Sequence, residues 1–124
     1  MNAIPHEYGK AGHDTPASPV AAARKLVRFA AARAEALDGD LFANPAWAIM
    51  LDLFIAGELN RRATVEHVGK AAHLSEASAA RWFTVLSKRG MVELYQSPDG
   101  DGRRLIRLTE RSRGKLRDFL TEWR

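Results

Sequence analysis

The 124-residue sequence contains no cysteine. That absence excludes a disulfide framework, a thiolate metal site and a cysteine nucleophile, and it fits a chain that works in the reducing cytoplasm. Long apolar runs are missing too: none approaches the roughly 18 residues that suggest a membrane span, so no membrane segment is expected. The opening stretch, MNAIPHEYGKAGHDTPASP, has no basic start followed by an apolar core and does not read as a signal peptide. There is no glycine-rich phosphate loop and no histidine cluster at metal-ligand spacing. His6 and His13 fall in an aperiodic opening without fixed geometry, and His67 and His73 read as a surface residue and a turn residue. Together these absences argue against an enzyme and against a bound cofactor or metal.

What is present is an uneven distribution of charge. The formal net charge is +4, but residues 1–60 carry 5 Lys/Arg against 7 Asp/Glu, whereas residues 61–124 carry 14 against 8. A basic half joined to a mildly acidic half suggests a polyanionic partner for the C-terminal part; an ordinary solvated basic surface is the alternative. At this length the chain is one domain's worth of sequence.

Residues 1–17 mix Pro, Gly, His and Asp without a period and are expected to form a flexible tail, leaving 18–124 as a single domain. Ser18-Pro19 is an N-cap followed by a proline suited to the first helical position. From there Val20, Ala23, Val27, Ala30, Ala34 and Leu37 recur at spacings of three and four, which predicts a helix over 18–38 with a narrow apolar stripe flanked by Leu26 and Phe29. Such a stripe packs either on the chain's own core or against a second copy, and its narrowness favours the second. Asn44-Pro45 opens another helix, whose Trp47, Ile49, Met50, Leu51, Leu53, Phe54 and Ile55 cover most of its circumference; that helix belongs in the middle of a core.

The informative stretch runs from Thr64 to Thr109. Thr64 caps a short helix to about Ala72, Ala72-His73-Leu74 makes a tight turn, and Ser75 caps a second helix to about Arg89 with Gly90 as its left-handed stop. Gly69 sits where the first helix presses on its neighbour. Two helices joined this closely read as a helix-turn-helix. On the second helix Ala79, Trp82, Phe83 and Leu86 share a buried face, while Glu76, Ala77, Ser78, Ala80, Arg81 and Thr84 form the other. Small and hydroxylated side chains with one arginine suit a helix lying in the major groove, where Arg81 reads guanine or holds a phosphate. After Gly90 the period becomes two: 91–96 and 105–108 read as strands, and Ser97-Pro98-Asp99-Gly100-Asp101-Gly102 as the turn of a β-hairpin. Arg103 and Arg104 stand beside the tip, where arginines enter a minor groove or grip phosphates. The tip aspartates lack the remaining ligands of a calcium loop.

At this point the sequence resembles the multiple-antibiotic-resistance regulator (MarR) family over about residues 45–114. The most specific segment is Asp101-Gly102-Arg103-Arg104-Leu105-Ile106-Arg107-Leu108-Thr109, similar to that family's Asp-x-Arg…Leu-Thr wing motif. The resemblance implies that Asp101 fixes the wing arginine Arg103, which reaches the minor groove, and that Glu76, Ala77, Ser78 and Arg81 take the base-contacting positions. Thr64, Ser75, Thr84, Lys88 and Arg104 complete the expected DNA-binding set. The departures are a missing Thr-x-x-Gly after the Leu-Thr pair, where Glu110-Arg111-Ser112-Arg113 precede Gly114, and a single C-terminal helix over 110–124 bearing Leu116, Phe119, Leu120 and Trp123.

The expected fold is therefore mainly α with a small β-hairpin wing, a winged helix-turn-helix. The helix over 18–38 is the dimerisation element and 45–109 the DNA-binding core. The expected function is sequence-specific binding of double-stranded DNA by a homodimer acting as a transcription regulator; a small-molecule effector that releases the DNA is an open addition to that reading, not part of it. The rival expectation is a winged-helix module that docks on protein.

Overall fold

Proline opens the first two helices among the described residues. The computed structural model describes residues 18–36 and 44–122; the expected tail over 1–17, the end of the first helix at Leu37 to Gly39, and Trp123 lie outside them. Helix α1 (Pro19–Ala36) is started by Ser18, whose hydroxyl accepts from the Ala21 amide at 3.0 Å. Helix α2 (Pro45–Glu58) is started by Asn44, whose side chain accepts from the Trp47 amide at 3.3 Å. Both use the same device, a polar cap ahead of a residue whose missing N–H costs nothing at the first turn.

The remaining elements follow in the order β1 (Ala63–Thr64), α3 (Val65–Ala71), α4 (Glu76–Lys88), β2 (Val92–Gln96), β3 (Arg104–Leu108) and α5 (Glu110–Glu122). The strands form an antiparallel sheet in the order β1-β3-β2. In the β2–β3 hairpin Val92 faces Leu108 and Gln96 faces Arg104. The hairpin was expected; its third strand was not. Ala63 pairs with Ile106 and Thr64 with Leu105 along the other edge of β3. Two residues are too few to show a period of two, so this strand leaves no mark in the sequence pattern.

Helix α2 occupies the centre, as its all-round apolarity requires: Ile49, Leu51, Leu53 and Phe54 are buried, and Trp47, Met50 and Ile55 pack against the same cluster. Around it gather Val68 of α3, Ala79, Phe83 and Leu86 of α4, Val92, Ile106 and Leu108 of the sheet, and Leu116 and Leu120 of α5. The stripe expected on α1 divides. Val20, Ala22 and Ala23 are buried on the chain's own core, in contact with α2 and α5, whereas Val27 and Phe29 further along face outward, Phe29 with 65% of its surface exposed.

Three helix ends close in the same way. After α2, α3 and α4 the residue past the cap takes a left-handed conformation: Asn60 (φ 57°), His73 (φ 59°) and Gly90 (φ 72°). The next amide reaches back five residues, Arg61 to Ala56, Leu74 to Gly69 and Met91 to Leu86, at 2.8, 3.0 and 2.9 Å. This is the Schellman arrangement, which satisfies carbonyls that the helix end would orphan.

Helix α5 is tied to the rest by polar contacts that the sequence did not disclose. The side chain of Glu58, at the end of α2, is only 10% exposed and accepts from Arg113 Nε at 2.7 Å and Arg117 Nη2 at 2.5 Å. Burial pushes the Glu58 carboxyl up, but hydrogen bonds and charge from Arg117 and Arg113 outweigh it and hold the group below its ordinary range. At the other end of the contact Thr109 caps α5, accepting from the Ser112 amide at 3.2 Å and donating to the Gly90 carbonyl at 2.9 Å. Ser112, standing where the Thr-x-x-Gly pattern has glycine, donates to the Met91 carbonyl at 2.6 Å. Of the apolar side chains that α5 bears, Leu116 and Leu120 are buried; Phe119 is 51% exposed and meets Trp47 edge-on, with ring centroids 6.1 Å apart. Among the described residues no helix is long and apolar enough to cross a membrane.

Candidate nucleic-acid interface

Thr64 serves two structures at once. It ends β1, and its hydroxyl accepts from the His67 amide at 3.1 Å to cap α3. Helix α3 is short because its Schellman end arrives at Ala72, and the left-handed His73 turns the chain toward Ser75. Ser75 caps α4 by accepting from the Ser78 amide at 3.1 Å. The two helices cross at Gly69: a Cβ there would lie 3.0 Å from the Cβ of Ala79. A larger residue would therefore wedge α4 away from α3, as the sequence reading anticipated. The helix-turn-helix is built as expected, with α4 shorter by its two caps than the 75–89 span.

Helix α4 buries Ala79, Phe83 and Leu86, with Trp82 partly buried beside them. The opposite face carries Ala77, Ala80, Arg81, Thr84 and Lys88, all exposed, with Glu76 in the first turn. Ser78 is half-buried and accepts from Arg81 Nη2 at 3.2 Å, one turn away, which tethers the arginine along the helix surface. Of the eleven expected site residues, seven thus sit along α4 or just ahead of it at Ser75, and three lie on the wing. Thr64 lies apart from both, at the start of α3.

The wing is shaped by its acids. Asp101 accepts twice from Arg103, from its amide at 3.0 Å and from its Nε at 2.8 Å. The Arg103 amide does most to hold the Asp101 carboxyl below its usual range; desolvation opposes it, and the Ser97 hydroxyl and the Arg103 guanidinium add smaller lowering contributions. Gly100 (φ 72°) and Gly102 (φ 78°) supply the two left-handed positions that flank Asp101. Arg103 is thereby held by a carboxylate two residues away while its guanidinium stays exposed. Arg104, the first residue of β3, is exposed beside it.

Helix and wing open onto one groove of about 300 Å³, bordered by Lys70 of α3, by Ala80 and Thr84 of α4, and by Leu94 and Arg104 of the hairpin. On the outer face of the hairpin Arg107 pairs with Glu93 at 3.0 Å and lies over the Tyr95 ring, 4.2 Å from its centroid. One contact at the tip escaped the sequence reading: Arg62, just before β1, pairs with Asp99 at 2.8 Å. Its only sequence signal was a pair of arginines at 61–62 ahead of the helix-turn-helix. His67 is exposed and His73 lies in the turn, as expected.

No family model matches the sequence, and no curated protein matches it. Solved structures do. The chain superposes on a MarR family transcriptional regulator from Silicibacter pomeroyi with a TM-score of 0.54, at 18% identity, over 82% of this chain and 65% of that one. The fold is MarR-like. A mutant of S. aureus MepR gives a TM-score of 0.53 at 19% identity, over 79% of this chain and 67% of that one. The PcaV transcriptional regulator from Streptomyces coelicolor, in complex with its natural ligand, gives 0.50 at 22% identity, over 62% and 51%. The match thus spans about half the length of the PcaV chain, as it does for a second MepR structure.

Proposed function

We propose that this chain is a transcription regulator that binds double-stranded DNA sequence-specifically as a homodimer, with α4 in the major groove and the wing at the minor groove. The observation that carries this reading is that the exposed polar face of α4 and the arginine-bearing wing border one groove. At 13 residues, α4 is roughly 20 Å long, and the small side chains of Ala77 and Ala80 let its backbone approach base edges in a groove about 12 Å wide. Arg81 then reads guanine or holds a phosphate, Glu76 can accept from cytosine, and Thr84 and Lys88 contact the backbone. Arg103, already oriented by Asp101, enters the minor groove without first having to be ordered. The solved structures that share the fold are of transcription regulators, which favours this chemistry over catalysis.

The dimer reading rests on the outer ends of the helical body. Val27 and Phe29 of α1 and Phe119 of α5 are exposed although their neighbours Val20, Leu116 and Leu120 are buried. A second copy related by a two-fold axis would cover them, each contributing roughly half of the 1.5–3 kcal/mol that full burial of an exposed large side chain gives, about 1 kcal/mol, because each is already partly buried. PcaV was solved with its natural ligand, and control of DNA release by a small molecule would add to this reading.

The test is selection from a random duplex pool with purified protein, followed by titration of the enriched site at two salt concentrations. An enriched inverted repeat whose binding weakens steeply with salt supports a dimeric regulator. No enrichment, together with weak binding that is insensitive to salt, overturns it in favour of a protein-docking module.

A further inference from the structure

The wing carries two aspartate–arginine pairs, and they are built differently. Asp101 and Arg103 are two residues apart, share two hydrogen bonds and shape the turn itself. Asp99 and Arg62 are 37 residues apart and share one contact of 2.8 Å, between side chains 59% and 47% exposed. The backbone on both sides of Arg62 is fixed. The Arg61 amide closes the end of α2 on the Ala56 carbonyl at 2.8 Å, and Ala63 is paired with Ile106 in the sheet. Only the Arg62 side chain is therefore free to move. Because Arg62 directly precedes the edge strand β1, its contact with Asp99 ties the connection between β2 and β3 to that edge of the sheet.

We propose that Arg62 is a further phosphate-binding residue, stored on Asp99 in the free protein and passed to the DNA backbone on binding, so that the pair sets how strongly the wing engages a duplex. The inference rests on the DNA-binding reading above and adds a residue to it. Three observations carry it. Arg103 and Arg104 are exposed on the same wing as Asp99, so the contact with Asp99 adds Arg62 to basic side chains already there instead of leaving it to stand alone. An exposed ion pair with a single contact is weakly held, whereas phosphates are spaced so closely along a duplex that a guanidinium brought among them releases condensed counterions. Asp99, left behind by the exchange, faces the same phosphates and opposes binding, which makes it the restraining half of the pair. The Asp101–Arg103 pair cannot be traded in this way, because one of its two bonds is to the backbone amide.

The experiment measures equilibrium binding to a mixed-sequence duplex a few tens of base pairs long, across a salt series. It compares the parent, Arg62→Gln, Asp99→Asn and the double variant, each checked for folding by its thermal melt. Arg62→Gln should weaken binding roughly eightfold at 0.1 M salt and make the slope of log K against log salt shallower by about 0.9. Asp99→Asn should tighten binding roughly twofold to fivefold, and that gain should be lost or halved in the Arg62→Gln background. Weaker binding by Asp99→Asn would mean that the pair persists in the complex as a wing support, and it overturns the exchange. An equal gain from Asp99→Asn in both backgrounds overturns it as well, because then only the aspartate's own charge matters. Salt-insensitive binding by the parent removes the DNA reading and this inference with it, an outcome distinct from a parent that binds while the variants disobey.

Discussion

Replacing Glu58 by glutamine should loosen α5 from α2 without changing the shape of the contact. The carboxylate accepts from Arg113 Nε at 2.7 Å and from Arg117 at 2.5 and 3.3 Å. A hydrogen bond to a charged group is worth about 1.5–3 kcal/mol when well made. Both arginines remain partly exposed, so neither is stranded without water when its partner loses charge, and the severe cost of an orphaned buried ion does not arise. The glutamine carbonyl can keep one acceptor. The net expectation is a loss of about 1–2 kcal/mol at pH 7, or roughly 5–15 °C in melting temperature for a domain of this size. The pH dependence gives a sharper check. The folded Glu58 carboxyl lies below its ordinary value of 4.5, so below that value the unfolded chain binds the proton first. The contribution is complete above about pH 4.5 and disappears as pH falls through the folded value. Asp52 of the same helix works in the opposite direction, since burial raises its carboxyl while the charge of His67 opposes; it is present in both proteins and cancels in their difference. Urea melts of the parent and Glu58→Gln from pH 7 down to pH 3 should therefore converge at acid pH. Equal stability at pH 7, or a gap that stays constant into acid, would refute the clamp.

Three further outcomes are expected. Arg81→Ala should lower affinity for the selected site by about 1–3 kcal/mol and relax preference at one base pair if it reads a base; competition against single-position variants of the site will show whether the preference survives. Arg103→Ala should weaken binding to all duplexes alike and reduce the salt slope by about 1, and unchanged affinity at physiological salt would take the wing out of the mechanism. Gly69→Val should destabilise by about 1–3 kcal/mol through overpacking against Ala79, and Ala79→Gly in the same chain should recover part of the loss, measured as a double-mutant cycle.

Much of this fold was legible because its signals are local. Asn44-Pro45, Ser75 and Gly90 act on amides and carbonyls within a few residues, and each cap stands where the sequence placed it. The split face of α4 followed from spacing alone, and so did the hairpin, with strand ends shifted by one residue. What stayed hidden involves partners distant in sequence. Nothing near Glu58 in the sequence announces two arginines on a helix more than fifty residues later. Arg62 and Asp99 are hidden for the same reason. The α1 stripe was read as one seam since periodicity reports only that a face is apolar, not which neighbour covers each turn; Val20 and Ala23 found the core and Val27 did not.

The two-residue strand β1 also bears on the order in which the chain can fold. Helix α3 is capped by Thr64, and Thr64 is held in place by Leu105, roughly forty residues downstream. A chain emerging from the ribosome as far as Lys88 has both helices of the helix-turn-helix but not the strand that anchors their entrance. Closing that loop costs entropy that only the completed sheet returns. The helix-turn-helix and the wing are therefore expected to become ordered in one late step, and a nascent chain halted before β3 would present α3 and α4 without a fixed angle between them.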